Sequence, residues 1–254
     1  TKYYFLKGNA YGKSNVAKAS DAYTKLFELE KASGKSKYTK EAKPKLDALI
    51  QYVSSEAIKQ YNNKDFKKAK YNFFLTYKLS PRDTTFLYNA AISASLDKDY
   101  DLALRHFNKL KNDGYTGITT EYYAVNKETG KVENLGSKSN RSAMIKFGKY
   151  NNPTEKTTPS KQGDIIKNIG FIYVNQGKPE KALEALNEAR KSNPKDMNLL
   201  LTAAQMYIKL DKMDEFGSLM EEAIKLDPNN PTLFFNLGVI NQNQKKIEEA
   251  KKYY

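Results

Sequence analysis

The stretch GDIIKNIGFIYVNQGKPEKALEALNEARKSNPKD, residues 163–196, decides the fold. Its apolar residues recur at helical spacing, once before Gly177 and again after Pro179. A glycine suits the left-handed end of a first helix, and a proline suits the first turn of the next. The stretch therefore predicts two antiparallel helices joined by a tight turn.

The pattern returns with a period of 34 residues along most of the chain. Pairs that keep this spacing include Pro194 with Pro228, Tyr173 with Tyr207, Ala189 with Ala223, Ala69 with Ala103, and Phe73 with Phe107. One helical hairpin cannot bury its apolar stripe alone, so neighbouring units must stack. The sequence thus predicts an all-α solenoid, an alpha-alpha superhelix of helical hairpins.

The repeated residues resemble the tetratricopeptide repeat, whose pattern is a large residue, Leu-Gly, Tyr, Ala, a large residue, Ala and Pro. Unit 163–196 matches it at Ile166, Ile169, Gly170, Tyr173, Ala182, Leu186, Ala189 and Pro194. Units 197–230 and 231–254 match in part, and the last one is incomplete. Units 50–83 and 84–117 match more loosely, and 1–34 matches only with a slip of one residue. The resemblance implies an N-terminal array over 1–117 and a C-terminal array over 161–254.

Residues 118–160 interrupt the arrays without shifting the period on either side. Within them, EYYAVNKETGKVENLG (121–136) predicts a β-hairpin with Gly130 in its turn, followed by a short helix near SKSNRSAMIKFGKY and a polar stretch, NNPTEKTTPSKQG. A lone hairpin is only marginally stable in water, so Tyr122, Tyr123 and Val125 are expected to form an apolar face that rests on a surface. We hypothesise that the insertion docks on neighbouring repeats through Tyr122 and Tyr123. The alternative is an element that projects outward to contact a partner.

The formal net charge of +14 is concentrated in the first third of the chain, where residues 1–80 carry 17 Lys and Arg against 7 Asp and Glu. Only four of the 43 basic residues are arginine, the residue on which specific nucleic-acid recognition depends. A lysine-rich surface is typical of solubility or of weak steering of acidic partners. Binding of an acidic polymer, nucleic acid or anionic glycan, through this third is therefore kept as an alternative function.

The residue types argue against catalysis and against a metal or cofactor site. The chain has no cysteine and one histidine, which excludes disulfides and thiolate chemistry and leaves His106 with an expected structural role. The carboxylates of DKDYD (97–101) lack the glycine and glutamate of a calcium loop, and Asp99 is predicted to cap a helix, as is Asp65. Thr39 is predicted to cap a long helix that ends near Tyr61. No catalytic, cofactor or metal residue is assigned.

The resemblance also implies where a partner would bind. Tetratricopeptide first helices line a concave groove that takes a peptide or a partner helix, so the chain is expected to be a non-enzymatic scaffold for protein–protein interaction. The corresponding residues here are Tyr88, Ile92, Lys167, Phe171, Asn198, Leu201, Gln205, Ile208, Phe235 and Val239. The clamp that binds chaperone tails in one subfamily is absent, because Phe171 and Thr202 stand where it has asparagines.

No apolar run reaches the roughly 18 residues of a membrane span. The N-terminus TKYYFLKGNAYGK lacks both a methionine start and a signal peptide. With the lysine-rich composition, this favours an exported or cell-envelope protein of a bacterium whose export signal is absent from this chain, with the cytoplasm as the alternative. The partner's identity and the oligomeric state do not follow from the sequence.

Overall fold

The computed structural model describes residues 1–254 and contains thirteen helices and three strands. The elements in chain order are α1 Lys2–Tyr11, α2 Val16–Ala32, α3 Lys37–Asn62, α4 Phe66–Leu79, α5 Thr85–Leu96, α6 Tyr100–Asn112, β1 Thr120–Asn126, β2 Val132–Asn134, α7 Lys138–Lys146, β3 Tyr150–Thr157, α8 Gln162–Asn175, α9 Pro179–Ser192, α10 Met197–Lys209, α11 Met213–Leu226, α12 Pro231–Asn243 and α13 Ile247–Tyr253. Apart from α7, these helices form the successive hairpins of a solenoid, which confirms the predicted fold class.

The chain forms two compact units. The first is the helical array, Thr1–Asp113 together with Asp164–Tyr254, and the second is the insertion, Gly114–Gly163. The insertion is thus longer at both ends than the predicted 118–160. Within the array, Lys111 and Glu188 form an ion pair of 2.7 Å, which joins α6 to α9 across the point where the insertion enters the sequence.

Three hairpins of the array share one close contact between their helices. A Cβ built on Gly170 would lie 2.9 Å from Cδ2 of Leu186, one on Gly8 would lie 2.5 Å from Cε1 of Tyr23, and one on Gly238 would lie 2.7 Å from Cε1 of Tyr254. The glycine belongs to the first helix of the pair and the large side chain to the second. The conspicuous small residues of the repeat pattern therefore set how closely paired helices approach.

Aspartates cap the second helices of two hairpins, as predicted. The Asp65 carboxylate accepts from the backbone N–H of Lys68, and that of Asp99 accepts from the backbone N–H of Leu102. Asp99 and Asp97 also lie 2.7 and 2.6 Å from the Lys70 ammonium on α4. The carboxylates of DKDYD thus end a helix and tie one hairpin to the next.

The start of α3 differs from the prediction. The helix begins at Lys37, so Thr39 lies inside its first turn and is not the cap. Glu30 of α2 caps it instead: its buried carboxylate accepts from the backbone N–H groups of Tyr38 at 3.1 Å and Thr39 at 2.8 Å. Burial alone would raise the pKa of this carboxyl, but the N–H donors outweigh it and hold the pKa below its usual value.

The insertion holds a three-stranded antiparallel sheet of order β2-β1-β3, not a hairpin alone. The segment NNPTEKTT, predicted to be a polar linker, forms most of β3 and pairs with β1 along its length. Two residues of β3, Asn152 and Pro153, lie opposite Ala124, and Asn152 has a φ of 46°. This β-bulge places the proline where its missing N–H interrupts no regular ladder.

Helix α7 covers one face of this sheet through Arg141. The guanidinium donates to the Thr154 carbonyl oxygen at 2.7 Å, pairs with Glu155 at 2.8 Å, and stacks over the ring of Tyr122. Successive side chains of a strand point to opposite faces, so Tyr123 lies on the other face, beside Glu121. The expected shared face of Tyr122, Tyr123 and Val125 is therefore wrong. Docking of the insertion on the repeats stays a prediction.

Candidate protein-binding groove

An open cleft of about 470 Å³ lies between α10, α11 and α12 in the C-terminal part of the array. Helix α10 contributes Leu201, Ala204, Gln205 and Ile208. Helix α11 contributes Met213, Phe216 and Met220, and α12 contributes Asn236, Val239, Ile240 and Asn243. None of these side chains is charged, so the lining is apolar with amide groups among it.

Helical periodicity explains why these residues meet. Leu201, Gln205 and Ile208 follow one another at steps of four and three, which places them on one face of α10. The opposite face of α10 is buried, with Leu199, Leu200 and Ala203 closely packed. Ile208 nevertheless keeps 43% of its surface exposed, so the cleft presents apolar surface that the array itself does not cover.

The structure brings four of the ten predicted groove residues together in this cleft: Leu201, Gln205, Ile208 and Val239. The other six also keep part of their surface exposed but do not line it. They are Tyr88, Ile92, Lys167, Phe171, Asn198 and Phe235. Whether any of the ten contacts a partner stays a prediction.

Contacts within the array involve several of those six residues. The Lys167 ammonium lies 3.3 Å from Asp164 and 3.7 Å from Asp196, so its charge is compensated. The half-buried Phe171 packs against the core formed by α9 to α12. The Phe235 ring leans on that of Tyr254 but remains 58% exposed. The exposed Phe235 is the strongest candidate of the six for a partner contact.

Sequence reasoning missed the cleft residues of α11 and two asparagines of α12. A usable signal existed for the asparagines: Asn236 and Asn243 lie three residues before and four residues after Val239, on the same helical face. Met213, Phe216 and Met220 carried no such signal, because a second helix is expected to bury its apolar residues. Here Phe216 and Met220 are buried yet form the floor of the cleft.

His106 lies in the helical packing and not in a cleft. It is buried, its ring stacks on Phe74 with centroids 4.8 Å apart, and Nε2 has no hydrogen-bond partner. Burial, with a smaller contribution from the neighbouring Arg105 charge, lowers the pKa of His106 to about 4. At neutral pH it is therefore an uncharged core side chain.

None of the helices has the length and apolar character needed to span a membrane. The expected bacterial origin and export of the protein stay predictions.

Comparisons with known proteins agree with this architecture. Residues 170–254 match the tetratricopeptide repeat family. The Hsp70-Hsp90 organizing protein of Triticum aestivum is 29% identical over 161 residues, which are 63% of this chain and 24% of that protein. The chain therefore spans about a quarter of the length of this relative.

Two solved structures share the fold. MamA of Desulfovibrio magneticus RS-1 has a TM-score of 0.53 at 14% identity, over 80% of this chain and 90% of that one. YrrB, described as a TPR protein with an unusual peptide-binding site, has a TM-score of 0.51 at 17% identity, over 92% of this chain and 90% of that one. The chain is thus a tetratricopeptide repeat protein. Proteins of this class bind protein or peptide partners, and the fold suggests a scaffold for protein–protein interaction.

Proposed function

We propose that this protein is a non-enzymatic scaffold that holds an apolar segment of a partner protein in the cleft between α10 and α12. The observation that carries the proposal is an open cleft, apolar and uncharged, formed by first-helix residues that the array leaves uncovered. A leucine-sized side chain transferred from water into it would contribute on the order of 1.5–3 kcal/mol.

The amide side chains favour a peptide over a purely apolar ligand. Gln205, Asn236 and Asn243 each offer a donor and an acceptor, which suits the N–H and C=O groups of a peptide backbone. No charged group lines the cleft, so salt should affect the affinity only weakly. The expected ligand is a short segment with one or two large apolar side chains and an accessible backbone.

Selection of peptides from a random phage-displayed library on the wild-type protein tests this function. We expect the selected peptides to share apolar residues and to bind Ile208→Glu at least about tenfold more weakly, a loss of roughly 1.4 kcal/mol, in calorimetric titrations. Ile58→Glu is the matched control, because Ile58 on α3 is 51% exposed, similar to Ile208. Peptides that bind Ile208→Glu as well as the wild type would overturn the proposal.

A further inference from the structure

A second cleft, of about 370 Å³, lies where the end of α1 meets α3. It is lined by Asn9, Lys13, Tyr23, Lys45 and Leu49, with Gly12 and Ala48 completing it. Every charge in this lining is positive. It therefore differs in chemistry from the uncharged cleft between α10 and α12.

The two ammonium groups are placed by aromatic rings and not by carboxylates. Lys13 Nζ lies 4.6 Å from the centroid of the Tyr52 ring, and Lys45 Nζ lies 5.0 Å from that of Phe5. Neither lysine forms an ion pair within the chain, although both are exposed. Their charges are thus uncompensated and are held near the same opening.

Asn9 adds a neutral donor to the cleft. Its Oδ1 accepts the hydroxyl proton of Tyr23 at 2.9 Å, which leaves the two Nδ2 protons to donate elsewhere. An oxygen anion entering the cleft would meet two cations and an amide donor, with no carboxylate in the lining to repel it.

We propose that this cleft binds a carboxylate-bearing segment of a partner protein, with Lys13 and Lys45 as its cationic contacts and Asn9 as a hydrogen-bond donor. The proposal is independent of the apolar cleft, since it concerns other residues and another ligand chemistry.

The surroundings favour a short acidic peptide over a long polyanion. Lysines near the cleft alternate with acidic residues: Lys25 pairs with Glu28 at 3.1 Å, and Asp21 lies 2.9 Å from Lys78. A polyanion is bound along a continuous basic track, and these carboxylates would interrupt it. Two lysines at one cleft match one or two carboxylates instead.

Fluorescence anisotropy with a labelled glutamate-rich peptide tests the site. We expect binding that weakens with added salt, is lost when glutamine replaces each glutamate, and is at least about tenfold weaker for Lys13→Gln/Lys45→Gln. Lys13→Arg/Lys45→Arg retains both charges and should retain binding, and circular dichroism checks that each variant is folded.

The control variant Lys191→Gln/Lys195→Gln removes the same charge from exposed positions outside the cleft. Equal losses in this control and in the cleft variant would overturn the proposal, because they would indicate only the overall charge. Tighter binding of a single-stranded oligonucleotide than of the peptide would also overturn it, in favour of polyanion binding. Absence of peptide binding would do the same. Ile208→Glu should bind the peptide normally, which separates this result from failure of the apolar cleft.

Discussion

At the scale of the residue, a single hydrogen at the glycine Cα sets the distance between paired helices. Gly170 has Cγ and Cδ2 of Leu186 at 2.9 Å from where its Cβ would be, and Leu186 is fully buried. We expect Gly170→Ala to lower the free energy of unfolding by about 1–3 kcal/mol, because the extra methyl group overpacks this contact. Urea unfolding monitored by circular dichroism measures the change.

The array supplies its own control for that substitution. Gly217 also lies inside a helix, but a Cβ there would meet no atom within 4 Å. Gly217→Ala should therefore raise the free energy of unfolding by about 0.5–1 kcal/mol, since alanine favours the helix. Equal effects of the two substitutions would show that the packing at Gly170 is unimportant.

At the scale of the element, α3 depends on a carboxylate from the preceding helix. The lowered pKa of Glu30 means that its stabilising contribution is complete above the ordinary pKa of a glutamate and is lost as the pH falls through the lowered pKa. We expect Glu30→Ala to melt at a lower temperature than the wild type at pH 7, with the difference shrinking at more acidic pH. Thermal melts across this pH range measure both effects.

Glu28→Ala provides the comparison for Glu30. Glu28 lies on the same helix but is exposed, and its ion pair with Lys25 is a surface pair, so its loss should hardly change the melting temperature. Glu30→Gln retains one acceptor and should fall between the wild type and Glu30→Ala. A Glu30→Ala protein as stable as Glu28→Ala would contradict the capping role.

The elements differ in how much the sequence reveals of them. The repeat period predicts the helix pairs because each pair must bury an apolar stripe, and Ala182, Leu186 and Ala189 are indeed fully buried. Strand β3 gave no such signal: nearly all of it is exposed and it contains Pro153, so it has no apolar alternation to read. Its place in the sheet comes from backbone pairing with β1, which no local pattern encodes.

The candidate site was predictable to a similar degree. Repeat positions identify Leu201, Gln205, Ile208 and Val239, because they depend only on which face of a first helix is turned outward. They do not reveal that Lys167 is paired with Asp164 and Asp196, or that Met213 reaches the cleft from a second helix. Those facts depend on contacts between repeats.

At the scale of the whole molecule, the array holds contacts of its own across the sequence position of the insertion. Lys111 pairs with Glu188, and the Gln176 amide donates to Asp101 at 3.4 Å. We therefore expect replacement of residues 117–160 by a short glycine–serine linker to preserve the helical circular dichroism of the repeats and a cooperative melt. A loss of helical signal would support the bracing role predicted for the insertion.

The two ends of the insertion are fastened to each other. The backbone N–H of Lys161 donates to the carbonyl oxygen of Thr116 at 2.7 Å, and that of Thr158 donates to Thr119 at 2.9 Å. The chain thus departs and returns at one place, and the repeat period on either side is undisturbed. For protein engineering, this makes the position a ready cassette site, where an unrelated domain with adjacent termini, such as a fluorescent reporter, could be exchanged for the native segment.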